Sequence, residues 1–441
     1  MNRKLVSLAF AALMGSVSSQ ALAADKTLTV LMIEGLDKGA MQALADGYSA
    51  KHPDVKVEIQ ALPWSQFFQV SELRLRSKDP AIDIVYTDAP VVASYASNSY
   101  IEAFSDETKA EAEKALVPSA VLSGSFEGKL YALPINSSSQ VLFYNPAIFT
   151  AAGVTPPSGL ESGSTTTKDD IARLAGEQRW TWEQVAEAAQ KVKKAEGGRT
   201  SVWGFAFEQF GELYQLQPLG ESKGSPVISA DGGTAADYLD GEAWRAAAEF
   251  WSKLFNEWQV SPRELGFGEA TQLFVNGQLA MFVGGTWNVP AIQSSGVKFG
   301  VAPHPQFEGG KAVTPTGSWY LGVSAASQNK DLARDFAAYA TLSDEGTQTW
   351  FKSLNQLPVT TKLLDTISTS TDFDAFPQSV MRLSAYESLN TAVPRPMTVA
   401  FSQLQDAFRT AFVDIANGVD IEEALVGAVD AYDDAARRLN R

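Results

Sequence analysis

The chain has 441 residues, with 35 Lys plus Arg against 51 Asp plus Glu, two His and no Cys, and 45% of it is hydrophobic, enough for the cores of two or three domains. Without cysteine there is no disulfide framework, thiolate nucleophile, iron–sulfur cluster or cysteine zinc site, and two histidines leave little scope for histidine metal sites or Ser-His-Asp triads. A formal charge of -16 argues against nucleic-acid or anionic-membrane partners, which demand a basic face.

The N-terminus reads as an address. Arg3 and Lys4 precede an apolar stretch over residues 5–17, and Ala21-Leu22-Ala23 is the small-x-small pattern of a signal peptidase site. Gly15, Ser16, Ser18, Ser19 and Gln20 interrupt the run short of the roughly 20 apolar residues a membrane span needs. A secretory signal peptide over residues 1–23, cleaved after Ala23, is expected, with the periplasm of a Gram-negative cell as the destination. No cysteine follows the cleavage site to carry a lipid anchor.

Strands and helices then alternate. Residues 27–33 (TLTVLMI) form a nearly unbroken apolar run, as in a strand buried on both faces of a parallel sheet. Met41, Leu44, Ala45 and Tyr48 make one helix stripe, His52-Pro53 ends it, and Val55, Val57 and Ile59 alternate as the next strand. Residues 82–87 (IDIVYT) read as a third strand, with Asp88-Ala89-Pro90 as a carboxylate cap and early proline of a helix. This rhythm predicts an α/β sheet with helices on both faces. Residues 155–170, rich in Pro, Gly, Ser and Thr, read as an exposed, mobile insertion without a core of its own.

Thr181-Trp182-Glu183-Gln184 is a capping box opening a helix with Val185, Ala189 and Val192 inward, and residues 202–207 (VWGFAF) are the next strand. Between Asp240 and Trp258, Trp244, Trp251 and Trp258 recur every seven residues and predict a packed helix stripe. Asn329 and Asp420 begin two late helices, with Leu332, Phe336 and Tyr339 inward on the first and Leu425, Ala428 and Tyr432 on the second.

No dinucleotide fingerprint, P-loop, nucleophile elbow or zincin motif occurs, and residues 124–129 match a P-loop only superficially. His52 and His304 read as surface loop residues. Carboxylates are numerous enough to hide a glycosidase pair. What recurs is an aromatic beside small polar residues at the ends of apolar runs: Tyr86-Thr87-Asp88, Asn136 to Gln140, Glu208-Gln209-Phe210, Gly284-Gly285-Thr286-Trp287 and Gly317-Ser318-Trp319-Tyr320. In open α/β sheets ligands bind where strands end. A sugar offers an apolar face for ring stacking and a rim of hydroxyls for Asp, Glu, Asn, Gln or Arg.

These segments together resemble the extracellular sugar-binding proteins of ABC importers, the group that includes the maltose-binding protein. The phrases that carry the likeness are GKLYALP at 128–134, LFYN at 142–145, TWEQ at 181–184, FVNGQLAM at 274–281 with GTW at 285–287, NKDLARDF at 329–336, Arg395-Pro396, and the helix start at 418–425. Their order covers nearly all of the mature chain. The resemblance implies a periplasmic binding protein type II-like fold, two discontinuous α/β lobes joined by a hinge with the ligand cleft between them. The N-terminal lobe would hold residues 24–135 and 319–354, the C-terminal lobe 136–318 and 355–441. Crossovers would lie near 134–139, 318–320 and 354–359.

The implied mechanism is closure of the lobes on a neutral sugar or polyol, then docking of a monomer on a membrane permease, with no cofactor, no metal and no catalytic residue. A secreted glycosidase or lyase using the same cleft, or a receptor feeding a sensor, stay open. By matched position, Tyr86 and Asp88 face the cleft, though Asp88 serves equally as a helix cap. Asn136 and Ser138 lie on a crossover where small polar residues replace an acid. Glu208, with Gln209, is a cleft acid or an exposed loop charge. Trp287 is the stacking platform, its Gly285 letting backbone approach the ligand, and Trp319 with Ser318 is the second. Arg395 either forks onto hydroxyls or pairs with an acid. Trp64 lines the rim or packs in the core.

Overall fold

The structure, a computed structural model, describes residues 26–439 apart from 318 and 355. The leader with its expected cleavage after Ala23, and the candidate Ser318, lie outside the described residues.

Two six-stranded sheets organise the chain. The first runs in the order Val55–Leu62, Lys26–Ile33, Ile84–Asp88, Trp319–Ser324 and Ile101–Glu102, with Ala132–Pro134 also paired to Trp319–Ser324. Its first three strands are parallel, and Trp319–Ser324 runs antiparallel to Ile84–Asp88. The central strand is apolar on both faces because helices cover both: Leu28, Val30, Leu31 and Met32 are inaccessible. The helix Leu36–Lys51 lays Met41, Leu44, Ala45 and Tyr48 on this core and stops at His52, ahead of Pro53.

The second sheet has the order Lys194–Glu196, Arg199–Phe207, Leu279–Gly285, Gln140–Tyr144, Gly300–Ala302 and Leu160–Glu161. Helix Trp182–Val192 opens on the capping box: Gln184 N–H donates to Thr181 Oγ1 at 3.2 Å, and Thr181 N–H donates to Gln184 Oε1 at 2.8 Å. On helix Glu242–Asn256, Trp244 and Trp251 are core residues whose indoles donate to the carbonyls of Pro226 and Phe412. Trp258 lies beyond the helix end and packs at the margin of that core.

The chain leaves the first sheet after Pro134 and enters the second at Gln140, and it returns between Thr316 and Trp319. The third passage falls later than the expected 354–359. Leu357, Val359, Leu364 and Ile367 belong to the first sheet's core, and Val117 N–H donates to the carbonyl of Val359 at 3.0 Å. The passage is made along helix Gln378–Asn390, whose Met381 and Ala385 pack on the first core while Val380 and Leu383 pack on the second sheet. Apolar residues within and just beyond the expected crossover pack on the nearer core.

Two other expectations fail. Residues 155–170 are integrated in the second lobe: Leu160 is buried, Leu160–Glu161 is the sheet's edge strand beside Gly300–Ala302, and Thr167 and Asp170 form a capping box. Gly159 is there for close approach, since a Cβ would sit 2.6 Å from the Val301 carbonyl oxygen; turn composition alone hid this. His304 is inaccessible, packed edge-on against Trp182 at 5.4 Å with Nδ1 3.0 Å from the Pro305 carbonyl oxygen. Burial pushes its pKa down to about 3, with the Pro305 bond opposing and Arg179 adding to the fall.

The folded value lies below the ordinary 6.5, so the unfolded chain binds the extra proton and stability is lost as pH falls from 6.5 toward 3. Across that window the wild type is expected to lose roughly 1.4 kcal/mol per pH unit more than His304→Gln. Parallel urea midpoints for the two proteins from pH 6.5 to 4 would refute the assignment.

Candidate functional site

The cleft is built on strand ends. Trp319 opens its strand opposite Asp88, and its indole stacks on Tyr86 with centroids 4.6 Å apart and planes 9° apart. Tyr86 is wholly buried, so it underlies the platform and presents no face to solvent. Its hydroxyl donates to Asp37 Oδ2 at 2.7 Å, and Gln356 Nε2 donates to Asp37 Oδ1 at 3.0 Å. Burial raises the Asp37 carboxyl, while both hydrogen bonds work against the rise.

The same glutamine fastens the crossing segments. Asn136 Nδ2 donates to Gln356 Oε1 at 2.5 Å, and Trp319 N–H donates to Asn136 Oδ1 at 2.9 Å. Asn136 is buried and its polar atoms are engaged in this tie. Ser138 receives the Gly317 N–H at 2.8 Å and lies 2.9 Å from the Tyr214 hydroxyl.

The facing wall belongs to the second sheet. Glu208 ends up inaccessible, neither a cleft acid nor a loop charge. Its Oε1 accepts Trp287 Nε1–H at 2.8 Å and Asn288 Nδ2–H at 2.9 Å, and its Oε2 accepts Gly285 N–H at 3.1 Å. Burial raises its pKa against those donors. Glu208 thus fixes the azimuth of Trp287, which lies half-buried beside Tyr214 with planes 28° apart. Gly285 has a different use from the one expected: a Cβ there would fall 2.0 Å from the Trp287 ring, so the glycine gives the indole room to fold back over its own backbone. Gln209 is half-buried next in chain.

The two walls meet twice. Arg395, just beyond strand Ala392–Pro394, forks onto Asp88 with Nη1–Oδ2 at 2.8 Å and Nη2–Oδ1 at 2.5 Å. Its guanidinium also lies over the Tyr214 ring at 5.0 Å. Of the alternatives for each residue, this structure has Arg395 paired with an acid and Asp88 paired with Arg395; Asp88 makes no side-chain cap to the following turn. Trp64 is at the rim, stacked on Phe267 of the other lobe at 5.5 Å. Tyr214, Phe267, Asp37 and Gln356 were not singled out by sequence. Gly266-Phe267-Gly268 carries the same aromatic-between-small-residues signature that marked Trp287. A separate cavity of roughly 540 Å³, lined by Lys109, Leu122, Phe126 and Met397 among others, is shared with none of these residues.

Breaking the Asp88–Arg395 pair removes a charge-assisted fork worth about 1.5 to 3 kcal/mol. Asp88→Asn is expected to enlarge the unliganded radius of gyration and weaken solute binding by about tenfold or more. Arg395→Met should do the same, and the double variant should add little. Strictly additive effects in that cycle would show that the two residues do not act as a pair.

Two α/β lobes with an aromatic cleft at their strand ends define a solute receptor by class. The profile of the bacterial extracellular solute-binding protein family matches residues 35–347, and the chain belongs to that family. It is similar to a mannitol-binding protein of Pseudomonas aeruginosa, 24% identical over 72% of this chain and 69% of that one. A galactooligosaccharide-binding protein of Bacillus subtilis is 23% identical over 81% and 79%. Among solved structures, an ABC substrate-binding protein of Listeria monocytogenes in complex with cycloalternan superposes with a TM-score of 0.77 at 20% identity, over 94% of this chain and 99% of that one.

Proposed function

We propose that this chain is the carbohydrate-capturing subunit of an ABC importer, holding a neutral sugar or polyol between its lobes and passing it intact to a membrane permease from the periplasm. The observation that carries the reading is an aromatic pair on each lobe, Trp319 on Tyr86 and Trp287 beside Tyr214, each anchored by a buried carboxylate. Ring faces held this way receive the C–H face of a sugar, and the half-buried Ser138 and Gln209 supply partners for hydroxyls.

In this reading Trp287, Trp319, Ser138, Gln209 and Trp64 line the solute, and Gly285 gives the Trp287 indole its room. Glu208, Tyr86 and Asn136 position those that do, and Asp88 with Arg395 couples the lobes. The first lobe comprises residues 26–135 and 319–369, the second 140–316 and 391–439, and helix Gln378–Asn390 is shared. Closure on the solute shifts the population toward the form that docks on the permease.

A thermal-shift panel of neutral sugars and polyols tests the reading, since a ligand of the folded state raises Tm with its concentration. The sugar should be recovered unchanged. Release of product in more than stoichiometric yield would make the protein an enzyme instead.

A further inference from the structure

Residues 155–170 form an edge of the second sheet, and they also reach toward the other lobe. Their turn is tied down where Ser164 Oγ donates to the Glu161 carbonyl at 2.7 Å and accepts the Glu161 N–H at 3.1 Å. Beyond it lie residues 370–377, the link between the first lobe and helix Gln378–Asn390. Thr166 N–H donates to the Asp374 carbonyl at 2.8 Å and Phe376 N–H to the Ser164 carbonyl at 3.1 Å, with Thr165 and Ala375 as the antiparallel pair between them. Phe373 packs on the core of the first lobe, whereas Phe376 packs on the second sheet, its ring 4.9 Å from Phe299.

Arg382 on the shared helix, 3% accessible, joins both sides. Its Nη1 donates to the Thr166 carbonyl at 2.7 Å, in the second lobe, and its Nε to the Ile367 carbonyl at 3.2 Å, in the first. Nη2 donates to the Ser370 carbonyl at 2.5 Å, and Nη1 also to Asp374 Oδ1 at 2.5 Å. Ile367 and Ser370 stand at the C-terminal end of helix Thr361–Thr369, where partial negative charge favours a cation. A guanidinium held out of water cannot shed its acceptors cheaply, and bonds of this length are lost on a shift of about 1 Å. When two lobes turn, only points near the axis move so little. We propose that residues 164–166 against 374–376, with Arg382 as the pin, form the fixed pivot of lobe closure. Arg382 is then a positioning residue that sets how far the cleft opens, and through that the affinity for solute. The pivot requires that the lobes close and does not depend on which solute closes them.

The test uses the full mature chain. Thr165 and Ala375 are exposed, non-hydrogen-bonded antiparallel partners lie about 4.5 Å apart between Cα atoms, and a disulfide bridges that span. The chain has no cysteine of its own, so Thr165→Cys with Ala375→Cys gives one defined cross-link. Calorimetry and small-angle scattering would use maltose, lactose, raffinose, glucose and mannitol. The oxidised variant should bind within about twofold of the wild type and contract equally on binding; an oxidised form that neither contracts nor binds, while its reduced form does both, would overturn the pivot. Arg382→Lys keeps the charge and loses the fork. It should enlarge the unliganded radius of gyration and weaken binding three- to tenfold, with the saturated radius unchanged. If that variant fails to fold, Asp374→Asn takes its place with the same expectation. A variant that lowers Tm but leaves the unliganded radius and the affinity at wild-type values would make Arg382 a purely structural residue and overturn its role. The unliganded comparison needs no sugar, so failure of every sugar to bind would strike the carbohydrate reading and leave the pivot to be decided by that radius.

Discussion

Glu208→Ala is expected to destabilise the protein by about 3 kcal/mol and to weaken sugar binding at least tenfold. The carboxylate accepts from Trp287, Asn288 and Gly285 in a site without water access. Removing it strands three buried donors, each costing about 1 to 3 kcal/mol, partly offset by relief of the carboxylate's own desolvation. Glu208→Gln preserves volume but points an amide N–H₂ at one set of donors, so an intermediate loss is expected. Urea midpoints report the stability term, and calorimetry reports the affinity lost once the indole is free to turn. An unchanged midpoint together with unchanged affinity would mean that the carboxylate does not hold the platform.

Trp287→Ala is expected to weaken binding by about 2 to 4 kcal/mol, the range of aromatic hot spots, or about 30- to 1000-fold in Kd. Stability should change much less, because the ring is half-buried and its removal leaves a surface recess and not a closed cavity. Trp287→Phe keeps a stacking face but loses the Nε1–H donated to Glu208, so its affinity should fall between the two. Calorimetry giving the alanine variant wild-type affinity would remove Trp287 from the site. The contrast between the two positions matters: Glu208 should move stability and affinity together, whereas Trp287 should move affinity almost alone.

Much of the scaffold was legible because its signals are local. The apolar run that became Lys26–Ile33, the stripe Met41, Leu44, Ala45 and Tyr48, and the capping box at Thr181 each depend on neighbours a few residues away. The errors are at positions decided by long-range packing. His304 sits between two prolines, a surface signature, yet the Pro-His-Pro segment folds under Trp182. Leu160 lies in loop-like composition but completes a sheet whose neighbouring strand is some 140 residues later.

In the site, residue types were readable and their duties were not. Glu208 and Tyr86 occupy strand ends as expected, but whether such a side chain faces ligand or supports another depends on a partner distant in sequence: Trp287 for one, Asp37 and Trp319 for the other. Asp88 and Arg395, 307 residues apart, show their pairing only in three dimensions. Gln356 and Tyr214 carry no pattern of their own. They matter because the fold brings three crossing segments and two walls to them.

Small-angle X-ray scattering with and without the sugar that most raises Tm tests the central claim most directly. If opposed walls close on an intact solute, its addition should reduce the radius of gyration, and the sugar recovered afterwards should be chemically unchanged. Superimposable profiles at saturation, or a sugar recovered in cleaved form, would contradict the account.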